Sequence, residues 1–315
     1  MKIVLTDYET ISDDPGRFDP FREFGELALY DTSSEEDAAE RLRDADIAVC
    51  NKTPFTRRVI ENAPALKYIG LFATGYNNID IIAATERDIT VCNAGSYSTR
   101  AVAQHTFALI LDNYSRVAEY SSFVNEGGWK KCRVFSPVIL TTRELSGKTL
   151  GIVGYGNIGK EVAGIAAAFG MKVIVYTRTP GADKNVEYVS FGELLSRSDI
   201  ITVHCPLTDA TRHMFDLKAF EKCRRDALFV NTSRGGVVRE EDLRTALETG
   251  LIRAAAIDVL TEEPMREDNV LFGVKGLTIT PHIAWAPQET VERLIGVVIR
   301  NIRNYLNGKP SDKVN

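Results

Sequence analysis

Arg234, Glu263 and His282 are the residues of this chain best suited to chemistry on a carbonyl. Each lies just past a short apolar run, at 228–231, 255–258 and 277–280 respectively. Ligands of an open parallel sheet bind beyond the carboxyl ends of its strands, so the three would share one edge. Hydride transfer to a 2-keto acid needs a cation to hold the carboxylate and polarise the carbonyl, plus an acid to protonate the new alkoxide. Arg234 offers a planar fork of donors for the first task. Histidines titrate near neutral pH, which makes His282 the candidate proton donor in reduction and acceptor in oxidation. Glu263 on the other imidazole nitrogen would orient the ring and favour the imidazolium. Taken singly, each residue has a plainer reading: a surface charge at a helix start, a turn acid before Pro264, and a packed histidine after Pro281. Only a fold can bring residues this far apart in sequence together.

A second constellation precedes them. Gly154-Tyr155-Gly156-Asn157-Ile158-Gly159 follows an apolar run at 149–153 and opens a helical pattern ending near Phe169-Gly170. In a dinucleotide fold the first glycine makes the tight turn, the second admits the pyrophosphate, and the third lets helix and strand pack closely. The helix N-terminus then presents N–H groups and a positive dipole end to the phosphates. The next strand runs into Thr177-Arg178-Thr179, where an NAD-binding chain usually carries an acid for the ribose 2′-hydroxyl. The positive charge favours NADP, with NAD still possible. Arg178 also reads as a solvated loop arginine or as a cation–π partner of adenine.

These residues need sheets to hold them. The chain has 315 residues, 44% of them hydrophobic, enough for two cores. Apolar runs at 3–6, 47–50, 68–71 and 90–92 form one alternating strand and helix series; those at 149–153, 173–176, 200–204, 228–231, 255–258 and 277–280 form another. Such alternation signals parallel sheets covered by helices. Between the series, Ser98 or Thr99 caps a long bridging helix through Ala101, Phe107, Leu111 and Tyr114, broken at Gly127-Gly128-Trp129. A last helix over about 288–306, ended by Asn307-Gly308, should return to the first body. The expected class is α/β, with two Rossmann-like or flavodoxin-like parallel-sheet domains and the active site in the cleft between them. Residues 1–98 with 284–315 would bind substrate, and residues 99–283 the dinucleotide.

Composition excludes other classes. A net charge of -5 with 26% charged residues leaves no basic footprint for nucleic acid. No apolar run reaches the ~20 residues of a membrane span, so a cytosolic protein is expected. Five cysteines without a C-x-x-C pair, at positions 50, 92, 132, 205 and 223, read as reduced thiols and not as disulfides or a metal site.

Several segments together resemble the D-isomer-specific 2-hydroxyacid dehydrogenase family. They are the glycine loop, His204-Cys205-Pro206-Leu207-Thr208, Asn231-Thr232-Ser233-Arg234-Gly235, Ala256-Ile257-Asp258-Val259 with Glu262-Glu263-Pro264, and Pro281-His282-Ile283-Ala284. The resemblance implies that Arg234, Glu263 and His282 are the catalytic set, and that Cys205, Pro206, Thr211, Thr232 and Asp258 face the cofactor. The first domain is similar through Asn51-Lys52-Thr53-Pro54 and Ala73-Thr74-Gly75-Tyr76-Asn77-Asn78-Ile79-Asp80. By resemblance the amides of Thr74 and Gly75 receive the substrate carboxylate, and Trp285 lies at the substrate. Lys52 is either a substrate contact or an exposed loop charge. Within the family, Ala73 to Asn77 and His282 to Trp285 are most like glycerate dehydrogenases and hydroxypyruvate (glyoxylate) reductases, which implies reduction of hydroxypyruvate or glyoxylate. Members resembling this chain pair as homodimers through the stretch from Glu119 to Trp129; residues 133–142 receive no role. A different class stays open: a dinucleotide-sensing binding protein on the same fold with little turnover.

Overall fold

A computed structural model describes residues Met1–Asn315. The chain divides into two compact units, Met1–Ser98 with Trp285–Asn315, and Thr99–Ala284. Ala284, read from sequence as the first body's, belongs to the second, where Asp258 holds its N–H.

The first unit alternates β1 (Lys2–Leu5), β2 (Glu26–Leu29), α1 (Glu35–Arg41), β3 (Ile47–Cys50), α2 (Arg57–Glu61), β4 (Tyr68–Leu71), α3 (Ile81–Glu86) and β5 (Thr90–Cys92). Its five strands are parallel in the order β2-β1-β3-β4-β5. Every residue of β3 and β4 is buried, the pattern of a parallel sheet covered on both faces. One face packs on Ala38, Leu42, Val59, Ile60 and Ala83. The other packs on Phe18, Phe21 and Phe24 and on the C-terminal helix Gln288–Leu306, through Val291, Leu294, Ile295, Val298 and Ile302. Strand β2 escaped the sequence reading because its four residues begin with an exposed glutamate.

At the end of β1 the buried Asp7 carboxylate accepts the N–H groups of Asn51, Lys52 and Thr53 at 2.5 to 3.1 Å. A buried carboxylate must find donors, and these three amides fix the loop that carries Lys52.

The second unit contains α4 (Thr99–Ser115), α5 (Val117–Asn125), β6 (Thr149–Val153), α6 (Asn157–Ala168), β7 (Lys172–Tyr176), β8 (Glu187–Tyr188), α7 (Phe191–Arg197), β9 (Ile200–Val203), α8 (Leu217–Glu221), β10 (Leu228–Asn231), α9 (Glu240–Glu248), β11 (Ala254–Ile257) and β12 (Leu277–Ile279). Seven parallel strands lie in the order β12-β11-β10-β9-β6-β7-β8. The two-residue β8 extends the six strands expected. The long helix breaks at Arg116, whose φ of 54° is left-handed, rather than at Gly127. Ser190 and Glu193 close a reciprocal capping box that starts α7. Gly151 in β6 is required by close approach, since a Cβ there would lie 2.1 Å from Ser198 Oγ. One sheet face packs on α4 and α6 through Phe107, Ile110, Val162 and Ala166, and the other on Leu194, Phe220 and Leu243.

Candidate active site

All the expected cofactor and catalytic residues lie past carboxyl ends of strands in the second unit's sheet. Along that edge, in spatial order, stand His282 after β12, Asp258 and Glu263 after β11, Arg234 after β10, Cys205 after β9, the glycine loop after β6 and Arg178 after β7. Strand order reverses between β9 and β6, the switch point where such sheets bind ligands.

The glycine loop fits a dinucleotide. Gly154 has a φ of +95° and a Cβ there would come 2.6 Å from Cys205 N. A Cβ on Gly159 would lie 2.3 Å from Gly154 O, so helix α6 packs directly on the turn. Gly156 faces open space, with no atom within 4 Å of a Cβ position. It is the N-cap of α6 and supplies no side-chain cap, so the first turn of α6, at Asn157, Ile158 and Gly159, opens directly on the loop. These residues would hold a pyrophosphate; the bound dinucleotide supplies the hydride. Arg178 and Thr179 are exposed beyond β7, and Thr177 is half-buried. The acid of that loop, Asp183, is turned away to Tyr155, whose hydroxyl donates to it at 2.8 Å, and to the Asn185 N–H at 2.9 Å.

Glu263 and His282 meet as their chemistry requires. Glu263 Oε2 lies 2.6 Å from His282 Nδ1, while Oε1 accepts the Leu260 N–H at 2.9 Å. A carboxylate can only accept, so Nδ1 carries the proton and Nε2 is the atom left to exchange one. The His282 N–H is itself held by Asp258 O at 2.8 Å and Thr280 O at 3.0 Å, with φ at 54°.

Arg234 is exposed in an extended conformation, its guanidinium on Ser233 O and its main-chain oxygen taken by Asn231 Nδ2. The following Gly235 abuts Leu260, where a Cβ would fall 1.9 Å from the carbonyl carbon. The arginine loop thus rests on the segment whose N–H anchors Glu263.

Asp258, expected at the cofactor, also has a structural task. Its buried carboxylate accepts Thr280 Oγ1 at 2.5 Å and the N–H groups of Ile283 and Ala284 at 3.0 and 2.8 Å, with His105 Nε2 3.5 Å away. Burial pushes its pKa up, but the nearby His105 and the bonds from Thr280, Ala284 and Ile283 outweigh this and hold it below the usual carboxylate value. The Thr232 hydroxyl is committed to Thr106 at 3.0 Å, and Thr211 Oγ1 closes its own turn between Thr208 N and Pro206 O. Cys205 is buried, which raises its thiol to about 11 and leaves it inert at neutral pH, whereas Pro206 is exposed. Burial likewise pulls His204 down to about 3, keeping that ring neutral.

The expected substrate contacts other than Arg234 belong to the first unit. Lys52 is exposed on the loop that Asp7 fixes. Asn93 Nδ2 and the Thr74 hydroxyl, bonded to Gly95 O, hold the Thr74 turn, and no acceptor of the chain takes the N–H of Thr74 or Gly75. Trp285 packs part-buried on that unit's aromatic core. Sequence reasoning missed His105, Thr106 and Thr280; the only signal was a polar pair on the apolar stripe of a helix.

Comparison with known proteins agrees with this geometry. Residues 107–284 match the model of the D-isomer specific 2-hydroxyacid dehydrogenase NAD binding domain. The chain is 39% identical to a hydroxypyruvate reductase of Blautia hydrogenotrophica, with all of both chains covered. It is 41% identical to a glyoxylate reductase of Thermococcus litoralis, over 88% of this chain and 85% of that one. Among solved structures, an acyclic imino acid reductase in complex with NADPH and D-Arg covers both chains fully with a TM-score of 0.88 and 32% identity. With a glycine cradle, an acid–histidine pair and an arginine on one sheet edge, and a hydroxypyruvate reductase matched over its whole length, the chain belongs to the D-isomer specific 2-hydroxyacid dehydrogenase family, whose members pass a hydride between a nicotinamide dinucleotide and a 2-keto or D-2-hydroxy acid.

Proposed function

We propose that this enzyme reduces hydroxypyruvate or glyoxylate, with Arg234, Glu263 and His282 as its catalytic residues and NADPH as its preferred coenzyme. The 2.6 Å contact between Glu263 and His282 Nδ1 carries the catalytic assignment, because it leaves Nε2 to protonate the alkoxide. Arg234 holds the substrate carboxylate and polarises the carbonyl, and the free amides of Thr74 and Gly75 offer further donors to the carboxylate. Lys52 and Trp285 complete the substrate contacts. The relatives named for hydroxypyruvate and glyoxylate support the substrate class. The imino acid reductase defines the competing class, an imino acid. Five unpaired cysteines suit a reducing compartment, and the cytoplasm is the proposed location.

The NADPH preference rests on charge. Arg178 is exposed where a 2′-phosphate would need a cation, and Tyr155 and Asn185 occupy the loop's acid. The enzyme is further proposed to act as a homodimer. Helix α5 buries none of its residues, and Val117, Trp129, Val134, Phe135 and Val138 stand exposed nearby, Phe135 at 90%. Exposed apolar side chains in this number fit burial against a second copy of the chain.

Four measurements check these statements. Coenzyme oxidation should be supported by glyoxylate or hydroxypyruvate more than by pyruvate, 2-ketoisocaproate or a keto acid with added amine. His282→Ala should lower kcat by about 10²–10⁴-fold with coenzyme binding kept, and Arg234→Lys should also be poor because a point charge cannot replace the fork. Coenzyme binding without turnover on any substrate would replace the enzyme reading with a dinucleotide sensor. Arg178→Ala should cut kcat/KM for NADPH more than about tenfold, as expected for loss of a charged hydrogen bond of roughly 1.5–3 kcal/mol, and spare NADH; equal losses with both coenzymes would remove Arg178 from the phosphate. Light scattering at micromolar concentration should give a dimer, and a monomer refutes the proposed pairing.

A further inference from the structure

Two consecutive residues of α4 reach two different catalytic loops. His105 Nε2 lies 3.0 Å from Thr280 Oγ1, and Thr106 Oγ1 lies 3.0 Å from Thr232 Oγ1. We propose that His105 and Thr106 are positioning residues that hold the loop of His282 and the loop of Arg234 in register against one rigid helix. The proposal rests on the catalytic assignment above and extends it to residues outside the reacting set.

Counting protons gives each bond a direction. Thr280 has one hydroxyl proton, and Asp258 Oδ1 at 2.5 Å can only accept it. Thr280 Oγ1 must therefore accept from His105, whose Nε2 carries a proton. The Asp258 carboxylate takes the N–H groups of Ile283 and Ala284, and its main-chain oxygen takes that of His282. The chain of bonds runs from α4 to both sides of the His282 peptide, and His282 needs it. A non-glycine residue at φ 54° keeps that conformation only where its surroundings over-determine it.

The same count applies one residue on. The Thr106 hydroxyl donates to Val102 O at 2.8 Å, so Thr232 donates to Thr106. Thr232 lies two residues before Arg234. Adjacent Cα atoms in a chain are a fixed distance apart, so the two loops share one short rigid reference. Packing alone does not call for this pair: neighbours Val102, Ala103, Phe107, Leu109 and Ile110 are buried and apolar. Burying polar groups among them is costly unless each finds a partner, and the partners found are the supports of the two catalytic loops.

The test uses the holoenzyme at saturating coenzyme and keto acid. His105→Leu and Thr280→Val should each lower kcat by about 10–100-fold, the size of effect that misplacement by ~1 Å produces, with KM for the coenzyme within about twofold. The double variant should be no worse than the poorer single, because both changes cut one chain of bonds. His105→Gln, which keeps an N–H donor, should recover part of the lost kcat. Single variants with kcat within about threefold of the parent, or a double variant whose loss is the product of the two, overturn the proposal. Should His105→Leu fail to fold, Thr280→Val decides by the same threshold. His282→Ala separates the two readings. If it abolishes turnover while the single variants keep theirs, only the positioning role falls; if it turns over normally, the catalytic assignment falls and takes this proposal with it.

Discussion

The Asp258 carboxylate, 1% exposed, sits where burial opposes its charge and several donors must meet it. Those donors are Thr280, just past β12, and the amides that follow His282, the residue proposed to exchange the proton. A buried anion cannot be left partly satisfied without a penalty of a few kcal/mol, so the loop that carries His282 is drawn to it. The histidine then orients Glu263, Glu263 is held by the Leu260 amide, and Leu260 supports the loop of Arg234 through the missing Cβ of Gly235. Three residues from three strand ends are tied together by the Glu263–His282 side-chain contact, the Leu260 amide and the close approach of Gly235.

The coenzyme half of the edge obeys a different constraint, the absence of side chains. Gly154 and Gly159 are required where backbone meets backbone, and Gly156 leaves open the space that a phosphate would fill. The β7 loop carries the exposed Arg178, and its acid is bonded to the glycine loop's own tyrosine. One hydroxyl, from Tyr155, thus links the glycine loop to the segment that carries Arg178.

Much of this was legible in the sequence, and the reasons differ by residue. Parallel strands buried on both faces read as continuous apolar runs, so β3, β4, β9 and β10 stood out. The edge strands β2 and β8 did not, since each opens with an exposed glutamate and β8 has only two residues. The helix break was placed at Gly127 because glycine is the usual breaker, whereas Arg116 takes the left-handed turn with no compositional warning. Arg234, Glu263 and His282 stand out as candidates because carbonyl reduction needs those residue types at strand ends, and the fold does bring Glu263 and His282 together. Their supports were not: the Leu260 amide is main chain, and the pairing of His105 with Thr280 spans 175 residues and leaves no local pattern.

The central claim is that this edge delivers a hydride to C2 of a keto acid with D stereochemistry. It is tested most directly by supplying reduced coenzyme, NADPH and NADH in turn, carrying deuterium at the transferable C4 position, with hydroxypyruvate as acceptor. The account predicts D-glycerate bearing one deuterium at C2. Product of L configuration, or D-glycerate without deuterium at C2, would contradict it.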